Sequence, residues 1–258
     1  KDEEREFRFK TDTVKELLSY AVGCMMGRYS LDKPGLVYAH AENKDFDVSQ
    51  YKTYSEDNDG IIPIRQDELF DTVDIASRLC RFIEVVWGRN YLESNIDFIA
   101  EHIAPKSRES SREAIRMYFA NDFYKDHCRT YKKRPIYWLF TSGKEKAFQA
   151  IVYLHRYNES TLSRMRTEYV LPLQTKINRQ IENFEQDIDA AGSTSAKNKI
   201  QKTITLLLKQ KEELISFDEK LRHFADKKIK IDLDDGVKVN YSKFGDLLAD
   251  VKSITGKD

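Results

Sequence analysis

A mainly α chain with a small β component (α+β) is what the sequence predicts: a mixed helix/strand domain followed by a long antiparallel helical hairpin. Three observations carry that expectation. Apolar residues recur at steps of three and four through long charged stretches, the pattern of amphipathic helices. Two short runs dense in aromatic and β-branched residues, 136–140 and 147–154, flank Gly143 and read as strands around a turn. Five prolines and ten glycines in 258 residues are too few for a sandwich of many short strands.

Taken in order, residues 1–10 are charged and read as a frayed end. Thr11 or Asp12 is placed to cap a helix over 13–26, with Val14, Leu17, Leu18, Ala21, Val22 and Met25 recurring at helical spacing and Gly27 at its end. Pro34-Gly35 marks a turn, and 36–39 a short strand. Residues 40–60 are polar and acidic, a loop. Pro63 makes 61–64 an edge strand, since proline cannot donate to a ladder.

Asp67 or Asp71 then starts a helix running to Trp87, closed by Gly88; a second spans 91–104 and stops before Pro105. A third spans 107–125, capped by Ser110 or Ser111, and residues 127–134 form a basic loop into the strand pair. Neither strand run alternates, so both faces should be covered. A buried helix over 144–157 is the open alternative.

From Leu162 an apolar stripe runs to Ile188, interrupted by Pro172, which should kink or split the helix. After a polar break at 191–195 a second stripe runs from Ile200 to Phe224, so the two helices should fold back on each other. Asp235-Gly236 between alternating apolar residues signals a β-hairpin over 229–240, with a short helix over 244–251. The expected organisation is an N-terminal linker helix (1–30), a mixed α/β domain (31–160), a helical hairpin (161–228), and a C-terminal β-hairpin and helix (229–258).

Composition narrows the function classes. Forty per cent hydrophobic residues suit a packed core, and 33% charged residues suit long solvated helix faces. Cys24, Cys80 and Cys128 are an odd, widely spaced set, which fits a reducing cytoplasm and no disulfide framework. The five histidines show no ligand spacing, and the most apolar N-terminal piece, 17–26, is too short to span a membrane. Because the first residue is Lys1 rather than Met, the chain reads as a piece of a longer protein.

Signatures of phosphate-loop, dinucleotide, serine-hydrolase and zinc-protease chemistry are all lacking from the sequence. Thr141-Ser142-Gly143-Lys144 has a superficial phosphate-loop look but reads as an ordinary turn. Asp57-x-Asp59-Gly60 faintly resembles a calcium loop without its downstream glutamate. Asp122, Asp126 and Lys132 are a weak nuclease-like set, read as solvated, and His127-Cys128 as half core and half surface. The chain by itself reads as no enzyme.

The positive signal is charge. Residues 32–101 hold seven Lys/Arg against fifteen Asp/Glu, whereas 106–166 hold fourteen against six. Such asymmetry points to a polyanionic partner for the basic sector; the plainer reading is that the two sectors face each other or are scattered around the surface. Candidate DNA contacts are Lys106, Arg108, Arg112, Arg116, Lys132, Lys133, Arg134, Lys144, Lys146, Arg156, Arg164 and Arg166, with Arg108, Arg112 and Arg116 spaced as one helix row. Tyr118, Tyr124, Tyr131, Tyr153 and Tyr157 interleave with them, Tyr153 being assigned to the core.

Three stretches carry a family resemblance: LLSYAVGCMMGRYSLDKPGLVYA (17–39), RPIYWLFTSGKEKAFQAIVYLHRYNESTLSRMRTEYVLPLQ (134–174) and KIDLDDGVKVNYSKFGDLLADV (230–251). They resemble the C-terminal part of the PglX family, the adenine-specific DNA methyltransferases of bacterial BREX phage-defence systems. The G-R-Y turn and P-I-Y-W-L strand more distantly resemble the region after the methyltransferase domain in single-chain Type IIG restriction–modification enzymes.

The resemblance implies a cytoplasmic bacterial parent that transfers a methyl group from S-adenosylmethionine to adenine N6. That chemistry needs an N/D-P-P-Y/F motif and a glycine-rich cofactor motif, and the chain has no Pro-Pro pair. No catalytic or cofactor-binding residue is therefore carried over, and S-adenosylmethionine is expected in the missing catalytic domain. The expected role is target recognition on double-stranded DNA beside that domain. The rival is a helical protein-interaction module docking the methyltransferase domain or another BREX protein.

Overall fold

The structure is a computed structural model and describes residues 2–40, 44–70, 73–132, 134–251 and 254. It is mainly helical with one small antiparallel sheet of three strands in the order β1-β3-β2, the class read from the sequence. The chain divides into two compact units, one of Lys1–Leu139 with Ala150–Tyr157, the other of Phe140–Gln149 with Asn158–Asp258.

The first unit opens with α1 (Asp2–Met25), which begins eleven residues earlier than expected. Asp2, Glu3 and Glu4 sit in its first turn, where they oppose the helix dipole. Glu4–Arg8 at 3.0 Å and Glu6–Lys10 at 2.8 Å add i,i+4 pairs, so the charged end is helical rather than frayed. Thr11 caps nothing, since its hydroxyl donates back to the Phe7 carbonyl at 2.9 Å. Gly27 (φ +75°) ends the helix as expected.

The expected strand at 36–39 is absent. Val37 and Tyr38 both direct their N–H groups to the Arg28 carbonyl, a pattern that is not that of a strand ladder. β1 (Ile61–Ile64) is buried throughout and lies at the sheet edge, where Pro63 is tolerated. α2 (Ile75–Trp87) starts later than either expected cap. Asp67 is instead held by the Arg65 guanidinium at 2.7 Å, Asp71 lies outside the described residues, and Asp74 caps by accepting from Ser77 N–H at 2.7 Å. Gly88 closes α2 at φ +85°.

α3 (Leu92–Ile103) is followed by α4 (Ser111–Tyr118), whose Ser110 and Glu113 form a reciprocal capping box. One π turn, Phe119–Phe123, joins α4 to α5 (Tyr124–Thr130), so the first half of the expected basic loop, 127–130, is helical. β2 (Tyr137–Thr141) and β3 (Gln149–Tyr153) settle the strand reading over the helical one, with Ser142 N–H donating to the Phe148 carbonyl at 2.9 Å to close their turn. Every β3 residue and all but Thr141 of β2 are buried, as the lack of alternation implied.

In the second unit α6 (Thr161–Arg164) passes through a π turn, Met165–Val170, into α7 (Leu171–Ala190). The turn falls where the Pro172 ring would crowd the carbonyl four residues back, so proline interrupts the α register without ending the helix. α8 (Thr194–Asp226) is capped by Ser193 and packs on α7 as the expected hairpin. Leu173, Ile177 and Ile181 of α7, with Ile204, Leu207, Leu214, Phe217 and Leu221 of α8, are buried.

The C-terminal β-hairpin is overturned. Residues 233–235 form a 3-10 turn, and α9 (Val237–Ser242) follows Gly236. The buried Asn240 amide explains the exchange: it accepts from Asp232 N–H at 3.1 Å and donates to the Asp232 carbonyl and, at 3.0 Å, to the Gly236 carbonyl. One side chain thus satisfies backbone groups that a partner strand would otherwise pair. The expected helix over 244–251 is only a 3-10 turn at Gly245–Leu247. Leu248 then bridges to Phe140, and Phe244 meets the Phe140 ring edge-on at 5.7 Å. Asn240→Ala should lower unfolding stability by about 1–3 kcal/mol, read from the urea midpoint; an unchanged midpoint would remove this amide from the account of the tail.

Candidate nucleic-acid interface

The charge asymmetry of the sequence resolves largely into internal pairing. Arg116 is buried, its guanidinium donating to the buried Asp74 carboxylate and reaching Glu68 at 3.3 Å. Asp74 is also the α2 cap, so one carboxylate fixes both a helix start and an arginine. Arg112 forks onto Glu93 with contacts of 2.6 and 2.7 Å. Arg108 lies before α4 begins and is exposed. The expected row of three arginines is therefore not one solvent-facing stripe.

Arg156 is 1% exposed. Its guanidinium donates to the Asp57 carbonyl and, at 2.8 Å, to the Asn58 carbonyl, and stacks 4.0 Å from the Phe46 ring centroid. Burial lowers its pKa, while Asp57, Glu56 and Asp59 act to raise it. The Asp57 carboxylate is itself committed. It accepts from the N–H groups of Asp59, Gly60 and Ile61, and from Arg78 at 2.5 Å. Asp59 accepts from Ile61 N–H at 2.8 Å, so the calcium-like sequence is an acidic backbone turn.

Four of the proposed DNA contacts in this unit remain exposed: Lys106, Arg108, Lys132 and Arg134. None makes an ion pair among the described residues, and Lys133 lies outside them. Lys106 and Arg108 occupy the link between α3 and α4; Lys132 (φ +46°) and Arg134 occupy the link between α5 and β2.

The second link is anchored by a residue read only as half core. His127 is 4% exposed and Cys128 is buried as well. His127 Nε2 accepts from Ile136 N–H at 3.1 Å and Tyr137 N–H at 3.2 Å, which assigns the proton to Nδ1. Burial, then the positive Arg28, pushes its pKa down to about 3. The imidazole is thus a neutral backbone clamp. Nothing in its sequence neighbourhood signals this, because both donors lie nine and ten residues downstream.

Of the interleaved tyrosines, Tyr118, Tyr124, Tyr153 and Tyr157 are core, and Tyr131 is half-buried. Asp122 pairs with Lys125 at 3.2 Å, while Asp126 is held by Lys15 at 2.8 Å, Arg129 at 3.0 Å and Tyr118 at 3.1 Å. A cavity of about 460 Å³ opens beside Asp126, and Asp12 and Glu16 also line it, which suits it poorly to a phosphate.

In the second unit Arg164 pairs with Glu168 at 3.4 Å, and Arg166 with Asp218 at 2.8 Å. Lys144 is exposed on the β2–β3 turn, and Lys146 is half-buried at φ +49°. The turn with the phosphate-loop look already holds an anion. The Glu213 carboxylate of α8 accepts from Ser142 Oγ at 2.6 Å, Glu145 N–H at 2.7 Å and Ala147 N–H at 3.1 Å. Glu213 was invisible to sequence reasoning, lying some seventy residues from the groups it binds.

No protein-family model matches the chain. Over 258 aligned residues, 96% of the chain, it is 54% identical to "Adenine-specific methyltransferase BrxX" of Escherichia coli O9:H4 (strain HS). Over 244 residues, 94% of the chain, it is 43% identical to "Adenine-specific methyltransferase PglX" of Lacticaseibacillus casei (strain Zhang). The chain spans about a fifth of the length of each relative, 21% and 20%. The resemblance read from three stretches is borne out along nearly the whole chain.

Two outcomes follow from the buried groups. Arg116→Ala strands the Asp74 carboxylate and should cost about 3–5 kcal/mol in urea unfolding, whereas Arg112→Ala, on an exposed pair, should move the midpoint little. His127 has a folded pKa of about 3 against an ordinary 6.5, so its contribution is fully present above pH 6.5 and is lost as pH falls towards 3. Unfolding free energy should drop with a slope near 1.4 kcal/mol per pH unit from this group. His127→Asn should flatten that limb when stability is followed against pH.

Proposed function

We propose that this chain, alike over its length to a fifth of two adenine-specific methyltransferases, is the DNA target-recognition part of such an enzyme in BREX phage defence. The observation that carries this reading is the match itself: 54% and 43% identity to two adenine-specific methyltransferases. Two structural features support it. The exposed cations Lys106, Arg108, Lys132 and Arg134 sit on links between rigid elements, where binding residues are commonly placed. In keeping with this reading, the sequence has no Pro-Pro pair of the kind the adenine methyltransferase motif needs, and S-adenosylmethionine and the reacting adenine are assigned to the remaining part of the parent.

In this reading the link cations engage phosphates and fix the register of the duplex, while the catalytic part receives an adenine turned out of the stack. Arginine can fork onto a phosphate or a guanine edge; lysine supplies a point charge. Arg116 and Arg156 serve the fold instead, both buried and engaged by an acid or a backbone carbonyl, while Arg112, Arg164 and Arg166 are each paired with an acid and stay outside the proposed contact set. Lys146 is half-buried and stays outside the proposed contact set.

The protein-interaction reading draws on a smaller observation. Leu208 and Ile215 of α8, seven residues apart and so on one face, are 43% and 45% exposed. Most of the stripe on that helix is spent on packing within the second unit, so this reading stays second.

Reversing all four link charges in the full-length protein (Lys106→Glu, Arg108→Glu, Lys132→Glu, Arg134→Glu) should weaken duplex binding and lower the slope of log K against log salt. Each lost phosphate contact removes roughly 0.9 from that slope. Fluorescence anisotropy over a salt series would measure it, and an unchanged slope would overturn the assignment of these residues.

A further inference from the structure

The β2–β3 turn is held more tightly than a surface turn requires. Besides the three bonds to Glu213, the Ser142 hydroxyl accepts from Phe148 N–H at 2.8 Å, and the Gln210 amide of α8 donates to the Glu145 carbonyl at 3.2 Å. Phe148 packs against Phe217, ring centroids 5.7 Å apart. Gln210, Glu213 and Phe217 are spaced i, i+3 and i+7, a single face of α8. The backbone bends to meet them: Gly143 has φ +142° and Lys146 φ +49°. A Cβ at Gly143 would lie 2.9 Å from Glu213 Oε2, so the carboxylate approaches as closely as only glycine allows.

The inward N–H groups of this turn are thus neutralised from within, and Lys144 is left at its outer side. Lys144 is exposed and makes no ion pair among the described residues. We propose that Glu213 is a positioning residue, holding the β2–β3 turn in the one conformation that presents Lys144 to the phosphate backbone of duplex DNA. This rests on the DNA-recognition reading. A cation on a preformed turn loses less conformational freedom on binding than one on a loose loop, which is what a half-buried acid beneath the turn provides.

The test uses the full-length protein and a fluorescently labelled duplex, titrated between about 50 and 200 mM salt. Lys144→Ala should lower the slope of log K against log salt by about one and weaken all duplexes alike. Glu213→Gln replaces an acceptor oxygen with an N–H₂ group facing N–H donors. It should reduce affinity as far as Lys144→Ala does, and the double variant should bind no more weakly than Lys144→Ala alone.

Gln210→Ala, which removes only the lesser clamp, should move affinity in the same direction by a smaller amount, and it carries the test should Glu213→Gln not fold. A merely structural Glu213 would instead lower the melting temperature and leave the salt slope at the wild-type value. That result, or a Lys144→Ala protein with wild-type slope, overturns the proposal while leaving DNA recognition intact. A wild-type protein without salt-dependent duplex binding overturns both.

Discussion

Burial of the Arg156 guanidinium is the constraint on which the first unit depends. It lies just beyond β3, in the turn Leu154–Arg156, and its donors end on backbone carbonyls of Asp57 and Asn58. A Cβ at Gly60 would come within 2.9 Å of the Arg156 Cβ, so the acidic loop is drawn directly onto the strand end. Tyr153 N–H donates to the Gly60 carbonyl at 3.2 Å, which starts the pairing of β1 with β3. A charge so deeply placed is tolerated because its donors are satisfied, an aromatic face lies against it, and three acids stand nearby. Removing it would leave the 57–60 turn, and with it the edge strand, without an anchor.

The same device recurs with the signs exchanged. Asp74 collects a helix start and Arg116; Asp57 collects three backbone amides and Arg78; Glu213 collects two amides and a hydroxyl. Each charge is repaid by several directed hydrogen bonds rather than by one ion pair, the condition under which burying it is not ruinous. In consequence several charges of the acidic and basic sectors engage one another, Arg116 with Asp74 in the interior and Arg112 with Glu93 at the surface. What survives at the surface is a short set of cations on links, backed by neutral clamps such as His127.

This division shapes the functional reading. A cation engaged by a carboxylate has little charge left to offer a phosphate, whereas one on an anchored link can bind without first being ordered. Net charge along the sequence could not separate the two kinds. Arg108, Arg112 and Arg116 share a spacing and a residue type, yet one is exposed, one is paired at the surface and one is buried.

Local chemistry by itself determined a good part of the protein. Gly27 and Gly88 as helix ends, the Ser110–Glu113 capping box, Pro63 on an edge strand and Gly143 between two buried strands are all set by neighbours within a few residues. Family likeness was equally legible, since long motifs survive in the order of the residues. Side-chain pairings that no sequence pattern marks decided the rest, some between near neighbours and most across the tertiary structure. Asp235-Gly236 favours a hairpin locally, but the Asn240 amide takes the backbone groups a strand would have used. Asp74 rather than Asp67 caps α2, and Asp74 also holds Arg116 of α4, forty-two residues on, whereas Asp67 binds its near neighbours Arg65 and Leu69. The fates of Arg112, Arg116, Arg156 and Arg166, of His127 and of Glu213 depend on partners from nine to ninety-nine residues away, and a charge carries no mark in the sequence of whether it will meet one.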